Sequence, residues 1–175
     1  MSLRKILVFP APALRKLAEP VSKIDEDLKV LVSDMIETMH AAPGVGLAAT
    51  QIGVNLRLIV ADPTAGENPE LVLELINPEI VSAQGSVEHG EGCLSLPDVE
   101  VKIKRSEQIV VKARRLNGQI QTFEVEGYLS YIFQHEIDHL NGILYLDHLK
   151  RHEDLVKLEP KLEPEEAVST ERVAG

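Results

Sequence analysis

The chain has 175 residues, and its 18 basic against 28 acidic side chains give a formal charge of −10. That length suits one domain whose core needs no disulfide, and the acidic balance excludes nonspecific binding to phosphate backbones. Trp is absent and aromatics make up only 3%, so the core is aliphatic and stacking platforms for nucleic-acid bases are scarce.

The first apolar run, Ile6 to Phe9, reads as a short strand ended by Pro10 and Pro12. It is too short for a signal-peptide core, and no later stretch approaches the ~18 apolar residues of a membrane span. Leu28, Leu31, Val32, Met35, Ile36 and Met39 recur at helical spacing, with Asp25 as N-cap and Pro43-Gly44 as the stop. Residues 44–51, Gly-Val-Gly-Leu-Ala-Ala-Thr-Gln, are nearly all small and form a turn out of that helix. Leu56 to Ala61 reads as a strand, and Asp62 to Pro69 as a loop. Leu71 to Ile76 and Ile80 to Ala83 read as two strands parted by Asn77-Pro78. Val99, Val101 and Ile103 alternate with polar residues as in a half-buried strand. Ile109 to Arg115 and Gln119 to Val125 flank Asn117-Gly118, the strongest hairpin signal in the chain. A second helix is expected over Tyr128 to Asn141, closed by Gly142. The fold class is therefore α+β, with mixed or antiparallel sheets packed around the helix of the C-terminal half. Residues 1–150 form the single domain, and 151–175 are a charged tail expected to be largely frayed or disordered.

The second helix carries His135-Glu136-Ile137-Asp138-His139. Residues i and i+4 share a helix face, so both imidazoles can reach one ion, with Glu136 beside it to take and return a proton. Tyr131, Ile132, Phe133 and Leu140 mark this helix as buried. Two uncompensated imidazoles there would be costly, and ligation satisfies them. The sole cysteine, Cys93, lies in Glu91-Gly92-Cys93-Leu94-Ser95. One cysteine rules out an internal disulfide, makes a reducing compartment the default and points to the cytoplasm. Alone it reads as an inert buried thiol; beside a two-histidine helix it becomes the expected third ligand, with a fourth position left for water.

Residues 44–51, 91–95 and 134–139, in this order and spacing, resemble the three signature motifs of peptide deformylase. The likeness runs from about Leu3 to Leu149. It implies hydrolysis of the N-formyl group of formyl-methionyl nascent peptides, releasing formate, by hydroxide generated on the metal. It also implies a ferrous ion in the cell, with nickel or zinc in purified protein. By the same likeness Cys93, His135 and His139 are the metal ligands, and Glu136 is the general acid/base. Gln51 and the Leu94 N–H become the oxyanion donors. Gly44, Val45, Gly46, Tyr128, Tyr131 and Ile132 become substrate-binding residues.

Three departures accompany the likeness. Glu100 stands where many members carry an arginine near the substrate chain. His89, Tyr128 and Tyr131 stand where members line the side-chain pocket with aliphatics. The tail, with Glu163, Glu165, Glu166 and Glu171, lacks the basic helix that docks some members on the ribosome, so the expected partner is the formylated peptide itself. Arg105 is matched and is expected to pair with Glu91. Two other readings share the helix motif. One is a zinc metallopeptidase drawing its third ligand from Asp147 or His148; the other is a metal- or peptide-binding module without turnover.

Overall fold

The computed structural model describes residues 2–149 and the backbone of 155–157. It contains helix α1 (Glu26–Ala41), strands β1 (Gly46–Ala48), β2 (Leu58–Ala61), β3 (Leu73–Gln84), β4 (Val87–Cys93), β5 (Leu96–Arg105), β6 (Gln108–Arg114) and β7 (Ile120–Glu126), helix α2 (Gly127–Leu140) and strand β8 (Leu155–Lys157). A five-stranded sheet runs β1-β2-β3-β6-β7, a three-stranded sheet runs β4-β5-β8, and neighbouring strands are antiparallel. The class is α+β, as the order of elements predicts.

Helix α1 buries Leu28, Val32, Met35 and Met39, and the Asp25 carboxylate accepts the Leu28 N–H at 3.0 Å, which satisfies one of the free donors of the first turn. Helix α2 buries residues on most of its circumference, including Phe133, Ile137 and Leu140, and packs against β1, β2, β6 and β7. Gln134 pins it to the β5–β6 turn, donating to the Ser106 carbonyl and accepting the Ser106 N–H. Gly142, at φ 69°, ends it in the left-handed conformation that glycine adopts without strain. The Asn117-Gly118 turn joins β6 and β7, with Arg114 opposite Ile120.

Two expectations change. Ile6 to Phe9 pairs with no strand among the described residues; the Leu7 and Phe9 N–H groups go to the Gln51 and Ser95 carbonyls instead. The two strands around Asn77-Pro78 are one bulged strand, β3, whose register slips between Ile76 and Glu79. Asn77 sits at φ 51° there, and its amide serves both the N–H and the carbonyl of Val21. Strand β8 pairs with β5, so sheet pairing runs past residue 150 into the tail. The remainder of the tail, with its acidic residues, lies outside the described residues.

Candidate metal centre

The β4–β5 turn and helix α2 bring Cys93, His135 and His139 together. Cys93 Sγ is 3.3 Å from His139 Nε2, and His139 Nε2 is 3.3 Å from His135 Nε2. The three ligand atoms all lie within 4.8 Å of one another. Atoms held ~2.0–2.3 Å from one tetrahedral ion stand about 3.3–3.7 Å apart, so this spacing fits a shared ion. The donor set of one thiol and two imidazoles suits a borderline-soft divalent metal.

The ligands are oriented from behind. His135 Nδ1 donates to Glu91 Oε2 at 2.8 Å. Arg105 grips the same carboxylate with two parallel bonds of 2.8 and 3.0 Å, and its third nitrogen meets Asp138. The expected Glu91–Arg105 pair therefore forms, and it is buried rather than exposed. Asp138 in turn accepts from His148 Nε2 at 2.7 Å. Burial alone would push the Glu91 carboxyl up, but His135 and Arg105 together pull it down to about 2. Burial also disfavours charge on His135, yet its bonds to Cys93 and Glu91 prevail and raise its pKa. His139 is lowered, by burial and then by its neighbour His135. Ligation needs neutral imidazoles and a thiolate, so an ion arriving here displaces protons.

Glu136 rests against β1. A Cβ on Gly46 would collide with Glu136 Oε1, so the glycine at 46 is what admits the carboxylate. Burial raises this carboxyl to about 7. Its Oε2 is buried without a partner, a free acceptor beside the ligand cluster. Gln51 is held at both ends of its amide: Oε1 accepts the Ala48 N–H at 2.8 Å, and Nε2 donates to Ser95 Oγ at 3.2 Å. The same nitrogen is 3.8 Å from Cys93 Sγ.

These groups open onto a cavity of about 360 Å³. Its wall includes Gly44, Val45, Gly46, Gln51, Cys93, Leu94, Tyr128, Tyr131, Ile132, His135 and Glu136. Of the sequence-predicted site residues, only His139 is off that wall, buried behind Cys93 and His135. Tyr131 stacks on His89, ring centroids 4.0 Å apart, whereas Tyr128 is 54% exposed. Glu100 lies across Gly90, whose missing Cβ makes room for it.

Sequence reading missed Ser95 as the support of Gln51 and the contact of Glu91 with His135. Glu91 was visible two residues before the cysteine, but no local pattern shows which ring it will meet. Asp147 and His148 do not serve as ligands: Asp147 pairs with Arg15, and His148 with Asp138.

The family model for polypeptide deformylase matches residues 3–154. The chain belongs to the peptide deformylase family. The deformylase of Acidobacterium capsulatum is 47% identical over 146 residues, 83% of this chain and 86% of that one. The deformylase of Symbiobacterium thermophilum is 52% identical over 147 residues, 84% of this chain and 67% of that one. The crystal structure of a peptide deformylase from Legionella pneumophila superposes with a TM-score of 0.81 at 47% identity, covering 85% of this chain and 86% of that one. The activity is accordingly that of a peptide deformylase, and the centre just described is where such chemistry would be housed. No helix among the described residues is long and apolar enough to cross a membrane.

Proposed function

We propose that this deformylase hydrolyses the N-formyl group of formyl-methionyl nascent peptides in the cytoplasm. Cys93, His135 and His139 hold one divalent ion, ferrous in the cell and nickel or zinc after purification. The observation that carries this reading is the convergence of those three ligands beside a buried carboxylate with one free oxygen. When bound, the ion acidifies water and polarises the formyl oxygen.

The protein's own groups do the rest. Glu136 takes the proton of the attacking water through its free oxygen and delivers it to the departing amine. Gln51 and the Leu94 N–H receive the charge that builds on the formyl oxygen without reorganising, because the Gln51 amide is already fixed by Ala48 and Ser95. Strand β1 is the edge of its sheet, so a substrate backbone can add alongside Gly44, Val45 and Gly46. Ile132, Tyr128 and the Tyr131–His89 stack flank the space for the first side chain. The stack makes that pocket narrower and more polar than an aliphatic one, which weakens selection for methionine over smaller unbranched side chains.

The test is an anaerobic assay of formate release from formyl-Met peptides alongside metal analysis. Formate release proportional to bound metal, with both lost in Cys93→Ser, is the expected result. Cleavage of internal peptide bonds, or turnover in metal-free protein, would replace this reading.

A further inference from the structure

We propose that the N-terminal segment Ser2 to Phe9 is a positioning strap that sets the spacing between the two halves of the oxyanion hole. The proposal rests on Gln51 and the Leu94 N–H acting as the oxyanion donors. Those donors sit on different loops, one leading out of β1 and the other between β4 and β5, in different sheets. The Leu7 N–H donates to the Gln51 carbonyl at 2.7 Å, and the Phe9 N–H donates to the Ser95 carbonyl at 2.9 Å. Leu7 and Phe9 are only two residues apart, so one short stretch of backbone holds both loops and limits how far they can part. Ser95 follows Leu94 directly, so the clamp fixes the peptide next to the second donor.

The strap is anchored at its other end. The Ser2 N–H donates to Asp34 at 2.7 Å, and the Arg4 N–H donates to Thr38 Oγ1 at 2.9 Å. The Arg4 guanidinium also pairs with Asp34, and both acceptors are buried on α1. Between the two ends, Ile6 packs into the core under α1 and Leu7 into the core around Leu96 and Tyr145. The segment thus ties one helix, two cores and both loops while belonging to no sheet. Oxyanion donors work only at hydrogen-bond distance from the developing charge, and a 1 Å misplacement costs as much as ~10² in rate.

Leu7→Pro removes the N–H that the strap donates to the Gln51 carbonyl. Leu7→Ala keeps that N–H and serves as the control. Leu7→Pro is expected to lower kcat by about tenfold or more, with KM and bound metal unchanged. Leu7→Ala should leave kcat close to wild type. Made on top of Gln51→Ala, Leu7→Pro should cost no more than about twofold, because both changes act through one group. Asp34→Ala loosens the far anchor and should give a smaller loss of kcat that also vanishes on Gln51→Ala. It decides the matter if Leu7→Pro does not fold. Unchanged kcat in Leu7→Pro would overturn the proposal, as would losses that multiply with Gln51→Ala, or an Asp34→Ala protein with lower Tm and full kcat. Normal kcat in Gln51→Ala alone would overturn the oxyanion assignment itself, and the strap's route to rate with it.

Discussion

Two histidine–carboxylate pairs in this molecule do different work. His135 meets Glu91 at 2.8 Å, and His40 meets Asp62 at 2.7 Å. Both carboxylates are buried. The difference lies in what else each partner touches. Glu91 is backed by Arg105, and the far nitrogen of His135 points into a cluster with Cys93 and His139. Asp62 instead collects the Thr64 and Gly66 N–H groups and the Thr64 hydroxyl, and His40 is 31% exposed. One pair aims a ligand; the other ties a loop to the end of α1. The pair itself carries no functional meaning until its second neighbours are known.

The largest expected break between the regions is at Glu136. Glu136→Gln should retain the metal and lose about 10²–10⁴ in turnover, measured as formate release on metal-matched protein. A variant with near-normal turnover would leave the metal region without its proton carrier. Glu91→Gln comes next. Losing the charge behind His135 should weaken metal binding about 10–100-fold in a chelator competition, with a smaller change in rate once the metal is restored. Metal affinity equal to wild type would make the Glu91 pair no different from the Asp62 pair.

Asp62→Asn sharpens the comparison from the other side. It should cost ~1–3 kcal/mol of stability and leave metal content and turnover intact. Burial works to raise the Asp62 carboxyl, but bonds from Thr64, His40 and Gly66 prevail and hold it below its ordinary 3.8. A depressed carboxylate stabilises the fold fully above that ordinary value and loses its contribution as the pH falls below it. Acid unfolding should therefore be steeper in wild type than in Asp62→Asn below pH ~4. Parallel curves would show that Asp62 contributes no such linkage. The smallest effect concerns the third imidazole of this neighbourhood, His89. Its Nε2 lies 2.9 Å from Glu91 Oε1 but off the hydrogen-bonding direction, and finds no partner. It acts as a wall, stacked on Tyr131. Tyr131→Ile should move the kcat/KM ratios among formyl-Met, formyl-norvaline and formyl-Ala peptides by about 1 kcal/mol, roughly fivefold. Identical ratios would remove Tyr131 from the pocket.

Much of this was legible in the sequence where the cause is local. The caps of α1 and α2, the Asn117-Gly118 hairpin and the ligand pair four residues apart all follow from spacing within one element. Strand β4 was not legible. Glu88, His89, Gly90, Glu91 and Gly92 show no apolar alternation, because the inward positions carry His89, Glu91 and Cys93 of the site rather than core residues, while Glu88, Gly90 and Gly92 face outward. Sequence patterns fail where the site, not the core, dictates the residue. Ile6 to Phe9 failed for another reason. An extended apolar run has one signature whether its N–H groups go to a strand or to two loops. The Glu91–Arg105 pair was legible as a pair but not as a buried one, since depth is set by the packing of β4 and β5 against α2. Ser95 beneath Gln51 depends on two loops meeting across 44 residues, which no local pattern encodes.

Gly46 gives this enzyme an unusual point of fragility. Its backbone is not in a region that excludes side chains, so a methyl group there would cause no torsional strain. The methyl would instead occupy the place of the Glu136 carboxylate. Gly46→Ala thus sets a methyl group in competition with the Glu136 carboxylate for one place in the wall of the cavity. A single added carbon at a position with no side chain of its own therefore acts on the seat of Glu136 and not on the backbone.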